Sequence, residues 1–332
     1  MATALIALLV APVLFFALWH LTTSFAPPAP ATLRNKRIIL LIAHPDDESM
    51  FFSPTLQALT SPSLENHVKI LCLSTGNADG LGDTRRKELE AAAVTLGIRK
   101  REDVFILDDE KRFKDGMDQK WSPDDISRVL ASAFAPQLNG PPPSLTPPAL
   151  EKNDKPSKSD KKTSSKSVKK SSKSSTPSPV PTTPPPPPAV PAGPRATIDV
   201  LVTFDNQGIS SHPNHIALYN GARTFLSNLM RGHSGYACPV NLYTLTTVNI
   251  ARKYSFIFDT IPTMLQGLIS GGSKKIGDKV LFNSDMSRYW KARDAMISGH
   301  KSQMVWFRWG WISMGRYMVV NDLKRETIAG VA

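Results

Sequence analysis

Residues 36–43, "KRIILLIA", become an unbroken apolar run after two cations. A strand with one wet face alternates apolar and polar residues, so this run marks a parallel strand covered on both faces. Parallel neighbours need long crossover connections, and that requirement restricts the fold more than any other feature of the chain. "HVKILCLST" (67–75), "DVFILD" (103–108), "TIDVLVTF" (197–204) and "VNLYTLTTV" (240–248) read as four further strands. Between them, "TRRKELEAAAVTLGI" (84–98) reads as a helix with Leu89, Ala92, Ala93 and Leu96 on one face and Gly97 near its end. "SPDDISRVLASAFA" (122–135) opens as a helix capped by Ser122 with Pro123 in its first turn, and another helix begins near His212. The pattern predicts an α/β domain over 36–321, a Rossmann-like, mostly parallel sheet with helices on both faces.

Two segments fall outside this pattern. Residues 2–19 carry no charge, and roughly 20 such residues span a bilayer. A secretory signal has a basic start and a shorter apolar stretch. Here no Lys or Arg precedes the run, whereas Arg34, Lys36 and Arg37 follow it. "APA" at 29–31 imitates a cleavage site, but run length and flanks favour an uncleaved transmembrane helix over 1–25, a linker over 26–35 and a cytoplasmic remainder. The second segment, 139–194, is dominated by Pro, Ser and Lys and has few large apolar residues. It is expected to be a disordered insertion within the one domain. Residues 322–332 read as a tail.

The net charge of +12 invites a nucleic-acid reading, but residues 151–173 hold nine Lys against three acids, which is half the excess. That tract has no interleaved aromatics and no recognisable nucleic-acid module, so no nucleic-acid partner is expected. The two cysteines, Cys72 and Cys238, match neither a metal-ligand spacing nor a disulfide framework.

The chemistry gathers at two strand ends. "AHPDDE" (43–48) leaves the first strand and "TFDNQGISSHPNH" (203–215) leaves the fourth. Open parallel sheets bind ligands outside the carboxyl ends of their strands, so the two clusters can meet in one crevice. His44, Asp47 and His215 would supply two imidazoles and one carboxylate, a common set for a divalent metal with open positions. Asp46 would stand beside the attacking water as general base. His212, one helical turn from His215, could polarise a carbonyl oxygen or protonate a leaving group. The plainer alternative is that Pro45 and Asp46 begin a helix whose dipole favours acids, and that His215 is an ordinary exposed histidine.

Other polar residues are open in the same way. Asn77 and Asp79 could bind hydroxyls of a substrate or simply form a turn. Arg85 could meet an anionic group of a substrate, with Arg86 competing for that role and a solvated helix arginine as the alternative. Asp205 and Asn206 could orient a metal-bound histidine or cap a helix. Trp306, Phe307, Trp309 and Trp311, with Arg308, Arg316 and Tyr317, suit the headgroup level of a membrane or an aromatic-rich buried face.

"AHPDDE" and "HPNH", with "STGNADGLGDTRRKEL" between them, resemble the zinc-dependent de-N-acetylases related to those acting on N-acetylglucosaminyl-inositols. "HKSQMVWFRWGWISMGRYMVVN" (300–321) is similar to the membrane branch of that family, which acts on a phosphatidylinositol glycolipid in GPI-anchor biosynthesis. The resemblance covers 36–321 except the insertion. It implies that His44, Asp47 and His215 carry the metal, with zinc favoured although such a set also takes iron or other divalents. It implies that Asp46 deprotonates the attacking water, that His212 stabilises the oxyanion or assists the departing amine, and that Glu48 steadies the arrangement. It further implies a glycolipid substrate and a single-pass protein of the endoplasmic reticulum membrane with its catalytic domain on the cytoplasmic side; no obligate protein partner is evident in the sequence. Two other readings stand beside it. One is a de-N-acetylase of a soluble N-acetyl sugar conjugate, and the other a non-catalytic membrane-tethered protein whose Lys tract engages acidic partners.

Overall fold

A computed structural model describes residues 2–25, 27–139, 193–269 and 279–328, with side chains for all of these except 2–8, 139 and 266–269. The described residues belong to one unit, 1–140 with 193–332. Helix α1 (Ala2–Ser24) leads to β1 (Arg37–Ile42), then the short helices α2 (Asp47–Met50) and α3 (Ser53–Leu59) cross to β2 (His67–Cys72). Helix α4 (Gly82–Thr95) crosses to β3 (Val104–Ile106), and α5 (Pro123–Phe134) follows. After the insertion come β4 (Val200–Phe204), α6 (Gly208–Ser211), α7 (Pro213–Met230) and β5 (Asn241–Leu245). The chain continues through α8 (Ile250–Lys253), α9 (Thr260–Ile269), β6 (Lys279–Asn283), α10 (Met286–Asp294), α11 (Trp306–Met314) and β7 (Val320–Glu326).

The strands form one seven-stranded sheet in the order β3-β2-β1-β4-β5-β7-β6. The first five are parallel, with Leu40 of β1 opposite both Ile70 and Val202, and residues 38–42 of β1 are all buried. The unbroken apolar run is thus the centre of a two-sided core. Right-handed crossovers put the helices of the β1→β2→β3 direction on one face and those of the reverse direction on the other. Accordingly α5 packs on α7, whereas α10 packs on α3 and α4. The chain leaves β1 toward β2 on one side while β4 pairs on the other, so a crevice opens between the ends of β1 and β4.

Two strands escaped the sequence pattern. β7 lies antiparallel between β5 and β6. It carries the sheet to Glu326, into the segment 322–332 that the pattern reads as a tail. Its sequence, "VNDLKRE", shows no apolar run because its polar groups find partners. Asn321, fully buried, donates to the carbonyl of Phe51 at 2.9 Å and accepts from the Thr55 hydroxyl at 2.7 Å.

Within α1, Trp19 is buried against the domain, donating to the Ser284 carbonyl at 2.8 Å with the rings of Phe256 and Tyr289 each at 5.4 Å. Among the described residues no helix is long and apolar enough to cross a membrane. The spanning anchor expected over 1–25 therefore lies partly outside the described residues, which exclude the side chains of 2–8. The disordered insertion expected over 139–194 lies outside them except at its edges.

The C-terminal aromatic block divides in two. Trp311, Arg316 and Tyr317 are buried, whereas Trp306, Phe307 and Trp309 are exposed. Arg316, with no exposed surface, pairs with Asp259 at 2.6 Å and Asp322 at 2.9 Å, and Asp259 also holds Arg252 at 2.6 Å. Removing one partner from a buried ion network leaves an uncompensated charge, so Arg316→Leu is expected to destabilise the chain by about 3–5 kcal/mol. Chemical unfolding of the purified variant measures this, and a loss below about 1 kcal/mol would show that the network is effectively solvated.

Candidate active site

Two loops build the site, one from each side of the crevice. After β1 the chain turns sharply at Asp46, whose φ of 120° is unusual for any residue with a side chain. Asp47 fixes this turn: its Oδ2 accepts from the amides of Ala43 at 2.9 Å and His44 at 3.0 Å. Glu48, fully buried, accepts from the Asp46 amide at 3.2 Å and pairs through Oε1 with His300 Nε2 at 2.7 Å. After β4 the loop is organised by Asp205, which accepts from the Gln207 and Gly208 amides at 3.0 Å each and from the Thr247 amide and hydroxyl at 2.6 Å each. Gly208 takes a φ of +60°, and a Cβ there would stand 2.9 Å from the Cβ of His215. Glycine at that position lets the loop fold back onto α7.

His212 caps α7, its Nδ1 accepting from the Asn214 amide at 3.3 Å. As a neutral ring it therefore carries its proton on Nε2. Burial, with His215 and His44 alongside, holds its pKa down to about 4. His215, one turn on, stacks on Phe204 at 3.8 Å and directs Nδ1 at the Gly208 carbonyl at 3.1 Å. Its Nε2 faces Asp47 Oδ1 at 3.2 Å and is buried without a hydrogen bond.

These contacts test whether a cation fits. The neutral His215 ring spends its proton on Gly208, so a lone pair on Nε2 confronts a carboxylate oxygen. Such a buried, unpaired acceptor points to an ion between the two. Burial opposes ionisation of Asp47, but with His215 in its protonated form, and His44 behind it, the carboxyl is held well below the usual range. Burial likewise opposes protonation of His44, yet Asp115, Asp47 and Asp46 raise it. Potential ligand atoms of His44, Asp47 and His215 all lie within 4.8 Å of one another. Two imidazoles and a carboxylate in a negatively charged, buried cluster match the donor set of a divalent cation.

His44, Asp115 and His212 form a second such group sharing His44. Asp115 Oδ1 lies 3.0 Å from His44 Nε2, and the Asn214 side-chain amide is also at 3.0 Å. Asp115 thus fixes the ring that the sequence reading left without an orienting partner, a role for which Asp205 and Asn206 were candidates. Asp205 instead holds the loop.

Asp46, next to Asp47, is 4% exposed and meets two guanidiniums, Arg308 at 2.6 Å and Arg85 at 3.6 Å. Burial pushes its carboxyl up, against the pull of Arg308 and then Arg85. Arg85 does not lie open at the rim as a phosphodiester ligand would. It is buried, donating to the carbonyls of Gly76 at 2.6 Å and Pro45 at 2.9 Å, with Asp115 at 3.4 Å. Gly76 has a φ of +67°, and a Cβ there would collide with this guanidinium. Arg86, the competing candidate, pairs with Asp108 at 3.3 Å on the surface. Asn77 serves its own turn, accepting from the Gly82 amide at 2.9 Å and donating to Glu110 at 2.6 Å, and Asp79 is exposed beside it.

The loop 75–83 edges a hollow of about 290 Å³ lined by Thr75, Asn77, Gly80, Gly82, Asp83 and Asp108. A larger hollow of about 940 Å³, lined by Arg37, Lys69, Phe105 and Phe134 among others, lies apart from this cluster.

The sequence reading missed three contributors. Asp115 sits at no motif spacing, so nothing local marks it, and His300 opens the C-terminal stretch 300–321 with no role assigned to it there. Arg308 did leave a signal, a single cation inside an aromatic helix.

Two imidazoles and a carboxylate beside a buried acid, at the switch point of a parallel sheet, fit the site of a metal-dependent hydrolase. Residues 39–226, more than half of the chain, match the GlcNAc-PI de-N-acetylase (PIG-L) family. The N-acetylglucosaminyl-phosphatidylinositol de-N-acetylase of Arthroderma benhamiae is 42% identical, covering 98% of this chain and 99% of its own. The protein of that name from Saccharomyces cerevisiae is 30% identical over 88% of this chain and 82% of its own. Among solved structures, the N,N'-diacetylchitobiose deacetylase of Pyrococcus horikoshii overlaps with a TM-score of 0.45 at 14% identity, covering 88% of this chain and 84% of that one. The chain belongs to the GlcNAc-PI de-N-acetylase family.

Arg308 holds a carboxylate that a displacement of about 1 Å could render 10²-fold less effective. Arg308→Ala is accordingly expected to lower kcat by about 10–100-fold with little change in KM. Added guanidinium should restore part of the rate. A rise in KM with unchanged kcat and no rescue would assign Arg308 to substrate binding instead.

Proposed function

We propose that this protein removes the acetyl group from N-acetylglucosaminyl-phosphatidylinositol, giving glucosaminyl-phosphatidylinositol and acetate, the second step of GPI-anchor biosynthesis. The observation that carries this reading is the meeting of His44, Asp47 and His215, with Asp46 alongside, in a chain 42% identical to a protein of that name across nearly its whole length.

His44, Asp47 and His215 would hold the divalent cation, with zinc the first choice for this donor set. When bound, the cation supplies Lewis acidity in the crevice, polarising the amide carbonyl and bringing the pKa of a water to roughly 7. Asp46 takes the proton of the attacking water. A carboxyl raised by burial binds that proton more firmly than an ordinary one, and Arg308 and Arg85 hold its position. His212, neutral with its proton on Nε2, donates to the amide oxygen as negative charge develops there. The carbon–nitrogen bond then breaks, Asp46 returns its proton to the departing amine, and acetic acid leaves, giving up its remaining proton to solvent as acetate. Glu48 and His300 restrain the turn that carries Asp46, and Asp115 restrains His44.

The uncharged run 2–19 supports α1 as a single-pass anchor. The cations after it support a domain on the cytoplasmic side, and the family resemblance supports the endoplasmic reticulum as the membrane.

Purified full-length protein should release acetate from N-acetylglucosaminyl-phosphatidylinositol, stop on chelation and recover with a divalent metal. Asp46→Asn should lose about 10²–10⁴-fold in kcat while the protein still binds metal. Absence of acetate from metal-loaded wild type in intact membranes would defeat the reading, and turnover of a soluble N-acetyl sugar conjugate alone would favour the runner-up substrate.

A further inference from the structure

The exposed half of the C-terminal aromatic block belongs to a larger surface. On α11, Trp306 is 85% exposed, and Phe307, Trp309 and Met314 are exposed with it. The segment running into α9 adds Ile250 at 75% exposure, together with Tyr254 and Phe258. Ring contacts join these elements. Trp311 of α11 meets Tyr254 at 5.8 Å, and Phe258 meets Phe15 of α1 at 5.9 Å. Phe15 lies within the uncharged run, on a helix whose Val13, Leu14 and Phe16 are also exposed.

Exposed apolar residues gathered on neighbouring elements mark an interaction surface, since monomeric soluble proteins rarely leave large apolar patches uncovered. Three observations select lipid. The surface continues onto α1, the helix read above as the anchor. No acidic residue occurs from Val305 to Val320, so nothing on that stretch repels an anionic headgroup. Two exposed tryptophans within four residues match the side chain that settles at the headgroup level.

α11 also faces inward, because Arg308 lies between Phe307 and Trp309 and reaches Asp46 at 2.6 Å. A bilayer against the aromatic side therefore borders the acid at the reacting centre.

We propose that α11, with the segment around Ile250–Phe258, seats on the bilayer surface beside α1, so that a lipid-held sugar reaches Asp46 without leaving the membrane. This rests on the glycolipid reading above. Docking would present the substrate within a plane rather than from solution, and a soluble analogue would gain nothing from it.

The test uses the full-length chain in phosphatidylcholine vesicles with and without bromine on the acyl chains near the headgroup. Bromolipid should quench part of the tryptophan fluorescence, and Trp306→Phe with Trp309→Phe should remove most of that quenching. Trp306→Ser with Phe307→Ser should lower kcat/KM about tenfold for substrate embedded in vesicles, an effect on the scale of one large apolar side chain left in water. Turnover of the acyl-free, water-soluble analogue should stay within about twofold, and Trp306→Phe alone should preserve both rates. Unchanged quenching in the double Phe variant overturns the proposal, as does equal loss on both substrates. A wild type that cleaves neither substrate tells against the functional reading, while the quenching still judges the surface.

Discussion

The carboxylate of Asp47 joins the two halves of the site. One oxygen is tied to the amides of Ala43 and His44, which closes the end of β1 into a turn, and the other faces His215 on α7. The loops after β1 and β4 are thereby brought together across the switch point of the sheet. The turn comes at a cost, since residues held at positive φ cost about 1–3 kcal/mol each. Asp46 in the first loop and Ile209 and Ser211 in the second all have positive φ. Glu48 on the Asp46 amide and Asp205 on the amides of its own loop offset part of this strain. The unpaired Nε2 of His215 against the Asp47 carboxylate supplies a place for a cation.

The surrounding structure separates holding from reacting. His300 restrains Glu48, Asp115 restrains His44, and the Gly208 carbonyl sets the ring of His215, so both candidate ligand rings and the turn that carries Asp46 are fixed by contacts within the protein. Asp46 differs, because its partners are two arginines from distant parts of the chain. Arg85 comes from α4, behind the site, and Arg308 from α11, whose other side is exposed aromatic surface. The acid proposed to handle the proton is therefore gripped partly by an element at the edge of the domain.

Much of this was legible in the sequence, and the exceptions have physical causes. β1 and β4 showed as apolar runs because both of their faces are buried, whereas β7 was hidden because Asn321 and its neighbours meet polar partners instead. His44, Asp47, His212 and His215 stood out because two motifs at equivalent strand ends must converge in this topology. Arg85 was visible as a cation near the rim, but nothing in its spacing tells that the carbonyls of Gly76 and Pro45 take it inward. Asp115 and His300 reach the site only through the tertiary fold. The aromatic block was ambiguous in sequence for a sound reason. It serves both uses, with Trp311 and Tyr317 in the core and Trp306 outside.

The central claim is that His44, Asp47 and His215 form one divalent-metal site. X-ray absorption on the purified, metal-replete protein, paired with its metal content, tests it most directly. One metal per chain bound by two imidazole nitrogens and a carboxylate, and lost in His215→Ala, is the result expected. A chain that folds and is active with no bound metal, or a His215→Ala variant with full occupancy and unchanged coordination, would contradict it.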